Sequence, residues 1–140
     1  MNVARILSGV AVMAFVGLTG REAFAYLGLA ALIGPASSSI AESAAISLLA
    51  AICGGYVARE RFAVPALSTC LLSWCGAIYL LYLIAEPTGQ AHLRVILGHN
   101  WAAILVSLLA AAAGAVAGQA FARRQQPNNS SKPTPLRGAA

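Results

Sequence analysis

Apolar residues run in long blocks along this chain, and the polar residues that interrupt them gather at a few points. The first block, 6–20, follows a short head with Arg5 and ends at the adjacent pair Arg21 and Glu22. At about 1.5 Å per residue such a block covers only about 22 Å of a hydrocarbon core about 30 Å thick. The helix is therefore expected to continue past both charges, over about 4–25, with Arg21 and Glu22 snorkelling toward one interface. Residues 26–36 are apolar again but too short to cross, and they contain Gly28, Gly34 and Pro35. They predict an interfacial or partly re-entrant segment, with one long tilted helix over 6–33 as the alternative.

Serines 37–39 offer side-chain oxygens to the first free amides of a second span, 39–58. Glu42 is expected in its first turn, where the helix dipole favours a carboxylate. Arg59-Glu60-Arg61 closes that span, and a connection of about six residues ending at Pro65 leads to a third, 64–85. Glu86-Pro87-Thr88-Gly89 stops the third helix, since proline and glycine continue a helix poorly. The stretch 90–100 is the most polar connection, with His92, Arg94, His99 and Asn100. Within it Val95-Ile96-Leu97 predicts a helical lead-in lying on the membrane surface, ahead of a fourth span over 101–121. From 125 to 140 the chain turns to proline, asparagine and serine with almost no large apolar side chain, the composition of a disordered tail.

The fold class that follows is all-α: a polytopic transmembrane four-helix bundle over 1–124 with a disordered tail. A tandem arrangement of two helices plus two is a further reading. Ser47-Leu48-Leu49-Ala50-Ala51 with Gly54 recurs sixty positions on as Ser107-Leu108-Leu109-Ala110-Ala111 with Gly114, and Leu7-Ser8 aligns likewise with Leu67-Ser68. An offset that carries two spans leaves both copies in the same orientation. Short matches also arise easily in a chain rich in alanine and leucine, so chance similarity stands beside duplication.

Composition agrees with the pattern. The 140 residues are 59% hydrophobic and 9% charged, against roughly 25% charged in soluble domains. The net charge of +5 does not signal nucleic acid, because the basic residues lie at helix ends and in the tail without an aromatic-interleaved basic patch. Their distribution instead sets the threading. Arg5, Arg59, Arg61, Arg123, Arg124, Lys132 and Arg137 fall on one side, and only Arg21 and Arg94 on the other. Cationic residues are retained inside, so both termini are expected in the cytoplasm, in the inner membrane of a bacterium. Trp101, Tyr79, Tyr82 and Phe24 then fall at the outer interface, and Phe62 and Phe121 at the inner one. A cleaved secretory signal ending near Ala23-Phe24-Ala25 is the rival reading of the first block.

Candidate function is sparse. Ala110, Gly114, Gly118 and Ala122 form a small-residue stripe at a spacing of four, and Ala50, Gly54 and Ala58 form another. In lipid, helices associate by close backbone approach, so these seven residues are expected to pack helices within the bundle or between copies. Glu86, His92 and His99 could hold a divalent ion at the outer surface, but two histidines without a spaced third ligand are a weak set. Ser47, Ser68, Ser73 and Ser107 lie inside spans with no base at mid-depth to activate them, so they are expected to bond to their own or a neighbouring helix. Cys53, Cys70 and Cys75 form no pair of disulfide spacing and read as packing residues. No cofactor is implied. The leading expectation is a non-enzymatic protein acting through helix packing with the bilayer, a second copy or a membrane partner. A small oligomeric transporter or channel is the alternative, made less favourable by the missing mid-depth carboxylate.

Overall fold

The computed structural model describes residues 3–26, 38–88 and 92–125. Among them are four α-helices: α1 (Val3–Tyr26), α2 (Ser38–Ala58), α3 (Ala63–Ala85) and α4 (Leu93–Arg124), with a short 3-10 turn, Glu86–Thr88, after α3. All four are long and apolar enough to cross a membrane. Long apolar helices satisfy every interior backbone group within one segment, the condition lipid imposes. Helix α1 runs through Arg21 and Glu22 without a break. Apart from Tyr26, the last residue of α1, the expected interfacial segment 26–36 lies outside the described residues. So does the expected tail beyond Gln125.

Three boundaries differ from the sequence reading, each for a local reason. Glu42 is the fifth residue of α2, so it lies beyond the first turn. The second connection is only Arg59 to Phe62, and Pro65 sits inside the first turn of α3. A proline is tolerated there because the amide it lacks would have had no partner in the helix. Finally, α4 starts at Leu93 rather than at 101, so the polar stretch is the first two turns of a continuous 32-residue helix.

The order around the bundle is α1, α2, α4, α3. Helices α2 and α4 make the most extensive contact, α1 lies along α2, and α3 lies along α4, touching α1 and α2 only lightly. Consecutive helices α2 and α3 are therefore not principal neighbours, and the short link between them crosses one end of the bundle. Phe62 rides on that link. It is 0% exposed, its ring against Gly9 of α1 and Gly54 of α2. The expectation that Phe62 sits in an interfacial aromatic belt is thereby corrected, because the crossing turns its ring inward. Among the described residues, eight of the eleven buried apolar ones are alanines (50, 51, 58, 66, 103, 111, 115 and 122), and Phe62 is the one aromatic. A core of such small side chains brings backbones close and gains its cohesion from dispersion rather than from excluding water.

Candidate functional site at the helix seams

Helix α2 presents two small-residue faces, one to each neighbour. Ala50, Gly54 and Ala58 are buried on the side of α1 and Phe62. A methyl placed on Gly54 would lie 2.7 Å from the Phe62 ring and 2.8 Å from the Gly9 carbonyl oxygen, and one on Gly9 would lie 2.7 Å from the Gly54 oxygen. The adjacent face carries Ala51 and Gly55 toward α4. There a methyl on Gly55 would meet the Ala115 oxygen at 2.6 Å, and one on Gly114 the Leu48 oxygen at 2.5 Å. A methyl on Gly118 would fall on the Ile52 carbonyl. Successive residues of a helix point about 100° apart, so the pair Gly54-Gly55 admits one helix on each side.

The two stripes expected from sequence are thus placed differently. Ala50, Gly54 and Ala58 face α1 and the Phe62 ring. Gly114, Gly118 and Ala122 are buried on α4, with Gly114 and Gly118 against α2. Ala110 is only half-buried, and Ala111 and Ala115 take the inner positions. Gly9, Ala51, Gly55, Phe62, Ala111 and Ala115 were not expected from sequence to line a helix-packing face. Ala51 and Gly55 share the spacing of four that marked the other stripes, so the same criterion could have found them. The ends of α2 and α4 are further tied by the Tyr56 hydroxyl, which donates to the Gln125 Oε1.

Polar groups within the helices settle mostly on backbone. Ser8, Thr19 and Thr69 donate to the carbonyls of Ala4, Phe15 and Pro65, at 2.9, 2.8 and 2.8 Å. Ser47 is half-buried on α2. Ser107, its counterpart sixty residues on, is 0% exposed, and its Oγ has no hydrogen-bond partner among the described residues. The expectation that each of these serines bonds to a helix is not met there. Ser68 and Ser73 are exposed on α3. Cys53, Cys70 and Cys75 are free thiols, only Cys70 buried.

The weak metal set is not assembled. Glu86 is exposed in the 3-10 turn, His92 caps the start of α4, and His99 lies exposed two turns further on. Among the described residues no group of three His, Cys, Asp or Glu side chains is placed to hold a metal ion.

One end of the bundle collects arginine. Gly9 near the start of α1 meets the end of α2, and Gly118 near the end of α4 meets it too, so Arg5, Arg59, Arg61, Arg123 and Arg124 share that end. All five are exposed, with Glu60 the acidic residue among them. Arg59 and Arg61 adopt φ of 66° and 51°, the left-handed region that favours glycine. Arg59 takes the position just past the end of α2 where glycine usually terminates a helix. Compared with protein-family models, with curated proteins and with solved structures, the chain matches none.

Proposed function

We propose that this chain is a small multi-pass inner-membrane protein without enzymatic activity, both termini in the cytoplasm, acting through helix packing with itself or a membrane partner. The observation that carries the reading is the chemistry of the interior. Among the described residues the buried set holds one polar side chain, Ser107, and no charged one. Close packing is the property such an interior offers. A duplicated two-helix unit belongs to the same reading, supported by the burial of both Gly54 and Gly114. Their neighbours differ, however, since Gly54 meets α1 and Phe62 while Gly114 meets α2.

Because the glycine seams are filled within one chain, association must use an outer face. Helix α3 offers one in Ser68, Leu72, Cys75, Gly76 and Tyr79, all exposed, and a methyl on Gly76 would meet nothing within 4 Å. A glycine there lets another helix approach. Size measurement in mild detergent tests the reading. Wild type is expected to be larger than a monomer or to carry a partner, and Gly76→Leu to run as the bare monomer with its helical content unchanged. Identical assembly states for the two proteins would refute it. The unpartnered hydroxyl of Ser107 is the observation that favours the second reading, a small transporter or channel working as an oligomer. Solute flux in liposomes that is lost in Ser107→Ala would establish that reading in place of the first.

A further inference from the structure

We propose that the arginine end of the bundle binds the phosphate headgroups of anionic phospholipids, with Arg59 and Arg61 as its centre. This goes beyond helix packing and rests on three observations. The first is convergence: Arg5, the Arg59–Arg61 link and the Arg123–Arg124 helix end come from three separate parts of the chain and meet at one end of the bundle. The second is that these five guanidinium groups make no ion pair among the described residues, although Glu60 lies between two of them. Their planar donor forks remain free for phosphate oxygens, which they match in geometry. The third is backbone conformation. Threading asks only for positive charge near a helix end. It does not ask for arginine at two positions where the backbone favours glycine, as it does at Arg59 and Arg61. Strain of that kind persists only where surrounding structure fixes it, and the buried Phe62 ring provides the anchor immediately after Arg61.

The occupant is argued from position and charge. Four helices of spanning length place this end where lipid headgroups lie, and basic clusters beside spanning helices attract anionic ones. Full-length protein in a mild non-ionic detergent, mixed with equal amounts of phosphatidylglycerol and phosphatidylcholine, would be read by native mass spectrometry. Wild type is expected to retain phosphatidylglycerol in clear excess. The double substitution Arg59→Gly with Arg61→Gly is expected to cut that excess about tenfold or more, while melting no lower, because glycine relieves the left-handed backbone. Arg59→Asn with Arg61→Asn removes the same charge with a residue that also enters that region, and should behave alike. Wild type without a preference overturns the proposal, and so does either variant that keeps the preference.

Discussion

At Gly118 one added methyl would land on the carbonyl of Ile52, whereas at Gly76 it would meet open space. The two glycines of similar helices should therefore respond with opposite sign to the same substitution. Gly118→Ala forces α2 and α4 apart and is expected to cost about 1–3 kcal/mol, the usual range for overpacking. Gly76→Ala removes a poor helix former without a clash and is expected to gain up to about 1 kcal/mol. Unfolding by a denaturing detergent, followed by helical circular dichroism, measures both, and equal shifts would contradict the seam. Phe62 is the complementary case, a single large ring filling the gap left by Gly9 and Gly54. Phe62→Ala empties that gap, and a loss of about 3–5 kcal/mol is expected from truncating a fully buried ring. A loss below about 1 kcal/mol would place the ring in lipid instead.

Helix α4 shows how much of an element is legible in sequence. Its apolar length gave a span, because hydropathy reports the thickness of the hydrocarbon layer. Its start was missed because His92, Arg94, His99 and Asn100 look like a connection, yet a helix satisfies its own backbone in water and can run on. Asn100 shows the adjustment, its side-chain amide donating to the Ile96 carbonyl at 2.8 Å. Thirty-two residues make a rod about 48 Å long, some 18 Å more than the core needs. Gly98, exposed with nothing within 4 Å, belongs to the overhang. Gly98→Cys, made after replacing Cys53, Cys70 and Cys75, should react with a membrane-impermeant maleimide in sealed vesicles of the proper orientation. Ala113→Cys, on the outer face near mid-helix, should not. Equal protection of the two would mean that α4 does not project. For α2, spacing revealed the Ala50-Gly54-Ala58 face but not which helix it meets. Neighbour identity is a tertiary property, and the same ignorance hid Phe62, which follows a charged triplet and looks interfacial until the link is seen to cross the bundle.

For the whole molecule, the arrangement reduces to which helices touch and at which end. Helix α1 runs antiparallel to α2, because Gly9 meets Gly54 at the arginine end while Gly20 meets Ile46 at the other, so the pairing is anchored twice. The second anchor can be trapped covalently. A methyl carbon on Gly20 would stand 3.9 Å from the Cβ of Ile46, within the range of about 3.5–4.5 Å that a disulfide spans. Gly20→Cys with Ile46→Cys, in a background free of the three native thiols, is expected to oxidise quickly to a faster-migrating monomer that reverts on reduction. Gly9→Cys with Ile46→Cys places its thiols toward opposite ends of the same pair and should stay reduced. The comparison isolates direction from mere proximity. Parallel helices would join the second pair and not the first, and helices that do not touch would join neither. A disulfide-linked dimer in place of the intramolecular bond would show that α1 packs on the α2 of another copy, which would move the Gly9–Gly54 seam, and the Phe62 ring it encloses, from the interior of one chain to the contact between two.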